Sequence, residues 1–167
     1  MQVRLGNVRD WPFIYALAKI GIPDSISPWR EQPMEETLKY RETILKGFWT
    51  WIQQSGSTVL MVEAPVKEEE SSTEMGKRQP IGYLVLTSLK EELTGVDQGW
   101  VMDFGVLPEW RGKGAGRVLL KAAEDHCREQ RVSYLGLAVS SHNVRALRLY
   151  EKFGFAEERK LMVKRVE

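Results

Sequence analysis

Apolar positions recur along this chain with two periods, and the switches between them mark out its elements. Residues 2–5 read as a short strand. A helical pattern covers 11–20, with Asp10 as its cap and Pro12 in the first turn, where proline is tolerated. Gly21 and Pro23 are expected to end it, leaving 21–33 as a loop. A second helix is expected over 34–53, where Met34, Leu38, Leu45, Phe48, Trp49 and Ile52 form the apolar stripe; Glu35/Lys39 and Glu42/Lys46 are i,i+4 pairs on its wet side. Strands follow at 57–64 and 81–88, expected to pair antiparallel. Between them 65–80 is polar and is expected to be a mobile hairpin loop. An apolar run at 101–107 reads as another strand, followed by a helix over 115–130 on Val118, Leu119, Ala122, Ala123 and Cys127. A buried strand at 134–139 completes a strand–helix–strand unit, so 101–107 and 134–139 should run parallel. Ser140 or Ser141 is expected to cap a helix that runs to Lys152 and stops at Gly154, and 157–166 reads as a final strand.

The junction at 106–117 carries the first chemistry. Pro108 stops the strand, and Gly112, Gly114 and Gly116 follow before the helix begins. A glycine turn opening a helix leaves the first helical N–H groups unpaired and lets a ligand approach the backbone. The helix dipole adds partial positive charge, so the turn suits an anion such as phosphate. Arg111, Lys113, Arg117 and Lys121 supply basic side chains around it. The glycine spacing matches neither the Walker loop nor the dinucleotide fingerprint.

Charge and composition narrow the ligand. The chain has 167 residues, a length suited to one domain spanning 1–167. With 24 basic and 23 acidic side chains its formal net charge is +1, which gives no global attraction for nucleic acid or an anionic membrane. The basic cluster is local and fits a small phosphorylated molecule better than a polymer. Cys127 is the sole cysteine and falls on an apolar helix face, so it reads as a buried thiol. The N-terminal residues lack a signal-peptide core, and no apolar run has the length of a membrane span, so a cytoplasmic protein is expected. No His/Cys/Asp cluster has metal-ligand spacing, and no metal is expected. Of the tryptophans, Trp11 and Trp49 read as core; Trp29 reads equally as core or as the wall of a substrate pocket.

Arg111-x-x-Gly114-x-Gly116, preceded by Val106-Leu107-Pro108, resembles motif A of the GNAT family of acyl-CoA-dependent N-acetyltransferases. A second segment, from Ser141 through Asn143 and Ala146 to Leu149-Tyr150-Glu151-Lys152-Phe153-Gly154-Phe155, resembles that family's C-terminal segment. The likeness covers about 80–156 well, and the N-terminal third only in its layout. It implies an α/β (α+β) fold: a mixed, mostly antiparallel sheet of six to seven strands, about four helices on both faces, and acetyl-CoA held where two central parallel strands splay apart. The backbone of Phe104, Gly105 and Val106 would face the pantetheine arm. The N–H groups of the turn formed by Arg111, Gly112, Lys113, Gly114, Ala115, Gly116 and Arg117 would hold the pyrophosphate. Asn143 would hydrogen-bond the pantetheine region, and Tyr150 would be the general acid for the leaving thiolate.

The base is open on the sequence. Met102 stands where many family members carry a carboxylate. Asp103 is adjacent, on the opposite strand face from Phe104. Glu63, Asp24 and Glu31 are further candidates, while His126 and His142 read as surface residues. The leading function is transfer of an acetyl group from acetyl-CoA to a small amine, a protein N-terminus or a lysine. The alternative is a non-catalytic acyl-CoA-binding or regulatory domain, favoured by Met102; thiol release over an amine panel separates the two. The partner is an amine-bearing acceptor whose identity the sequence does not carry, and a homodimer is compatible with it.

Overall fold

A computed structural model describes residues 1–66 and 77–166. Five strands form one sheet in sequence order: β1 (Gln2–Leu5), β2 (Thr58–Pro65), β3 (Arg78–Lys90), β4 (Asp97–Val106) and β5 (Tyr134–Leu137). β1 to β4 pair antiparallel, and β4 pairs with β5 in parallel, as the strand–helix–strand pattern requires.

The sheet separates two apolar clusters. Alternation along β2 sends Val59 and Met61 to one face and Leu60 and Val62 to the other. On the first face α1 (Trp11–Ser25) and α2 (Met34–Ser55) bring Ile14, Leu17, Ile22, Leu45 and Ile52 against Tyr83 and Val85. On the second, α3 (Ala115–Glu129) lays Leu119, Leu120, Ala123 and Cys127 against Leu84 and Leu86, and α4 (Val144–Phe153) packs Leu149, Tyr150 and Phe153 beside them. Trp11 and Trp49 are partly buried on the α1–α2 cluster, whereas Trp29 is 76% exposed and belongs to neither.

Several expectations are corrected. The helix α1 does not stop at Gly21: it continues through Pro23 to Ser25, because that last turn buries Ile22 in the core. Asp10 precedes α1 without capping it. Its carboxylate instead accepts from Asn7 N–H at 2.8 Å and from Arg4 Nη1 and Nη2, at 2.8 and 2.7 Å. The cap of α4 is Asn143, not Ser140 or Ser141. The β2–β3 ladder runs past the expected strand ends to Pro65 opposite Arg78, and Val66 N–H bonds to Lys77 C=O at 2.9 Å. The centre of the expected mobile loop, 67–76, lies outside the described residues. The expected strand at 157–166 is not formed, so the sheet has five described strands rather than six or seven.

Candidate active site

The central strands part company halfway along β4. Among the described residues β5 pairs only with residues 98–101, so there β4 from Met102 to Val106 has an unpaired outer edge. The parting coincides with a bulge. Val101 sits opposite Leu86 and Asp103 opposite Val85, so Met102 is an extra residue without a partner. A bulge re-aims the side chains that follow it. Val101 faces α3, whereas Asp103, two positions on, faces the α1–α2 side and meets Tyr83. Phe104 returns to the α3–α4 side, opposite Asp103, as alternation predicts.

The backbone of this free segment alternates as well. Leu107 N–H bonds to Ile81 C=O of β3 at 2.9 Å, which turns the polar groups of Gly105 toward β3 and those of Phe104 and Val106 into the gap. Val106 C=O accepts from Arg111 Nε at 3.1 Å, and Phe104 N–H donates to the Asp103 carboxylate at 2.9 Å. No described protein acceptor takes the Val106 N–H. Gly105 therefore turns its own N–H and C=O toward β3. Its role is space, since a Cβ there would lie 2.8 Å from the Tyr83 ring and 3.1 Å from Leu17.

Beyond β4 the chain makes a 3-10 turn, Pro108–Trp110, and then the glycine turn. Gly112 and Gly114 take φ of +76° and +89°, the left-handed region that glycine occupies without penalty. As a result the N–H groups of Gly112, Gly114, Ala115, Gly116 and Arg117 have no protein acceptor among the described residues. At Gly116 a Cβ would stand 3.0 Å from Leu149 and 3.1 Å from Phe104, so the absent side chain lets α3 close onto β4 and α4. These free donors at a helix N-terminus fit a pyrophosphate. The basic side chains divide. Arg117 and Lys113 are exposed, Lys113 lying 5.5 Å from the Trp110 ring centre. Lys121 pairs instead with Asp125 on its own helix, so it does not join the site.

α4 closes the gap from the other side. Asn143 Oδ1 accepts from Ala146 N–H at 3.1 Å, which starts the helix and leaves the amide nitrogen without a partner among the described residues. Two turns on, Tyr150 packs between Phe104 and Phe155, with ring centres 6.3 and 5.7 Å away, and its hydroxyl meets no described protein group. Burial, and then the Asp103 charge, push the Tyr150 phenol up to about 12, so it stays protonated at neutral pH. Burial also raises the Asp103 carboxyl above its ordinary value. Tyr83, whose hydroxyl donates to Asp103 Oδ2 at 2.8 Å, works against that rise, as do Phe104 N–H and the Arg41 charge. The Asp103 charge, from the α1–α2 face, reaches the Tyr150 phenol on the α4 face beside the parting of β4 from β5.

The other candidate bases are engaged elsewhere. Glu63 is on β2, opposite Gln2, and accepts from Arg4 Nε at 2.6 Å. Asp24 bridges Arg145, at 2.8 Å, and Arg111, at 3.7 Å, while Glu31 pairs with Arg165. His126 stands 3.4 Å from Thr58 at the far end of the sheet, and His142 is exposed. Tyr83, the hydroxyl partner of Asp103, carried no sequence signal, since it read as part of an apolar strand.

The family model for the acetyltransferase (GNAT) family matches residues 14–155, and the chain belongs to that family. It is 44% identical over 62 residues to a mycothiol acetyltransferase of Nocardiopsis dassonvillei, a match covering 37% of this chain and 19% of that protein. It is 43% identical over 56 residues to a streptothricin acetyltransferase of Streptomyces lavendulae, covering 34% of this chain and 30% of that protein. The chain thus spans less than a third of the length of either relative. Its fold matches AAC(6')-Iy in complex with the bisubstrate analog CoA-S-monomethyl-acetylneamine, with a TM-score of 0.62 and 17% identity over 99% of this chain and 97% of that one.

Proposed function

We propose that this chain is an acetyl-CoA-dependent N-acetyltransferase that acetylates an amine directly. The observation that carries the reading is the joint position of five free N–H groups, an unpaired β4 edge and the Asp103–Tyr150 pair around one gap. Acetyl-CoA, when bound, supplies an activated acyl thioester. The turn from Gly112 to Arg117 holds the pyrophosphate, with Lys113 and Arg117 contributing charge. The Asn143 amide nitrogen and the Val106 backbone orient the pantetheine amides, and Val106 N–H polarises the thioester carbonyl.

An amine is protonated at neutral pH and has no free pair with which to attack. Asp103 accepts that proton, directly or through a water, and the burial that raises its pKa makes it a stronger base. The amine enters from the α1–α2 side, where Asp103 faces. Tyr150 gives its proton to the departing sulfur, and the phenol is restored from solvent. As the C–S bond breaks, the attacking nitrogen sheds its second proton to solvent, which balances the proton that solvent returns to Tyr150, so the products are the acetylated amine and free thiol, with one proton left on Asp103.

The test is release of the coenzyme A thiol over a panel of small amines and peptides, run with calorimetric binding of acetyl-CoA. Turnover on at least one amine, lost in Asp103→Ala, is expected. Binding without turnover on any amine would leave the acyl-CoA-binding reading, and no binding would overturn both.

A further inference from the structure

α2 turns one face to the sheet, where Leu38, Leu45, Phe48 and Ile52 pack on the α1–α2 cluster. Side chains three and four apart share a helix face. Arg41, three after Leu38 and four before Leu45, therefore stands within that apolar stripe. A cation is tolerated on such a face where its head reaches water or an anion. Arg41 is exposed, which sets it at the rim of the cluster. Its own helix gives it no acid: the positions three and four away are Thr37, Leu38, Ile44 and Leu45. Glu36, five positions back, lies on a different face. Glu35 pairs with Lys39 at 2.9 Å, and Glu42 takes Lys19 at 2.9 Å and the Tyr15 hydroxyl at 2.8 Å. Among the described residues Arg41 makes no hydrogen bond or ion pair, yet its charge reaches Asp103. One face of the sheet thus carries a buried carboxylate and, at its rim, an unpaired guanidinium.

We propose that Arg41 selects the acceptor, and that the acceptor is a free amino acid, its amine taken at Asp103 and its carboxylate held by Arg41. This rests on the acetyltransferase reading above. Charge matching selects the class. A simple monoamine leaves the guanidinium unmet, and a polyamine sets a second cation against it. A zwitterion meets both groups. A guanidinium takes a carboxylate through two parallel N–H bonds, a contact that gives direction as well as strength. Holding the far end of the molecule fixes the amine relative to the thioester. The carboxylate takes no part in bond making, so the contact is alike in ground and transition states and acts on KM rather than kcat. Arg41 has a second effect: its charge favours ionised Asp103 and so weakens that base. The second effect falls on every amine alike, whereas recognition falls only on acceptors that carry a carboxylate.

Release of the coenzyme A thiol tests this with the common α-amino acids, β-alanine and γ-aminobutyrate, each beside its own primary amide. In the wild type the best acid is expected to exceed its amide at least about tenfold in kcat/KM. Arg41→Gln should lower kcat/KM for that acid at least about tenfold, through KM, and leave its amide within about threefold. Comparing acid and amide across the two proteins cancels their difference in intrinsic reactivity. Arg41→Glu should reverse the order, placing the amide above the acid. Melting temperature and calorimetric affinity for acetyl-CoA, both expected to match the wild type, establish that each variant folds and holds its cofactor. Amides that serve the wild type as well as acids overturn the proposal. So does an Arg41→Gln variant that shifts acid and amide alike, as a guanidinium acting only on Asp103 would make it. Turnover on simple amines but on no amino acid overturns it too, and leaves the acetyltransferase reading standing. Turnover on no amine at all overturns both.

Discussion

Replacing Tyr83 by Phe tests the link between Asp103 and the sheet that carries it. Tyr83 is fully buried, and its ring packs directly against Gly105, so Phe keeps the packing and removes only the hydroxyl. What is lost is the 2.8 Å hydrogen bond to Asp103 Oδ2. A hydrogen bond to an ionised partner contributes about 1.5–3 kcal/mol, and one between neutral groups about 1 kcal/mol. Asp103 carries a raised pKa in the fold. A carboxyl raised in this way supports the fold in its neutral form, below its unfolded value, and that support is lost as pH rises through the folded value. The Tyr83 hydroxyl limits the loss by favouring the charged form. Without it the folded pKa rises further and the loss grows, so the variant's penalty is largest at neutral pH and shrinks toward acid. For a chain of this size the neutral-pH penalty corresponds to a fall in Tm of about 3–12 °C. Denaturant unfolding of both proteins, from neutral pH down to the ordinary carboxylate value of about 4, measures it. In turnover the acid limb of the pH profile moves to higher pH. A penalty that is the same at both ends of the range would show that the hydroxyl does not act on the ionised carboxylate, and the reasoning would fail.

Other outcomes follow from the same geometry. Gly114→Asp puts a side chain at φ +89° and a negative charge beside the free N–H groups, and should weaken acetyl-CoA at least about tenfold by calorimetry. Tyr150→Phe should lower turnover about 10²-fold, the low end for a general acid whose pKa lies far above neutral, and leave acetyl-CoA affinity within about threefold; unchanged turnover would make Tyr150 a packing residue. Asp10→Ala removes the acceptor for Arg4 and for Asn7 N–H, and should cost about 1–3 kcal/mol at neutral pH. The Arg4 guanidinium holds the Asp10 carboxyl below its ordinary value, so its contribution is present above about pH 4 and lost below it. Urea unfolding curves of the two proteins should therefore converge in acid.

Much of the frame follows from local order in the chain. The helical spacing of Val118, Leu119, Ala122 and Ala123, the strand at 81–88 and the glycines at 112, 114 and 116 each fix a local conformation, because side-chain period and backbone freedom are properties of neighbouring residues. The free N–H groups of the turn are legible for the same reason, as is the strand–helix–strand unit that makes β4 and β5 parallel.

Tertiary packing decided the rest. Gly21 and Pro23 signal a helix end, yet burying Ile22 against the sheet carries α1 on to Ser25. The run 157–166 reads as a strand, but a strand needs a partner ladder, and the segment forms none with the described strands. The bulge at Met102 depends on how β4 registers with β3, which no single strand specifies. That bulge sets Asp103 on Tyr83, 20 positions away in sequence, and opens the gap across which it reaches Tyr150. The sequence by itself determined where a phosphate can be held. Which carboxylate lies buried beside the parting of β4 and β5 was decided only when strands and helices from distant parts of the chain met, since burial and hydrogen bonding set the strength of a base.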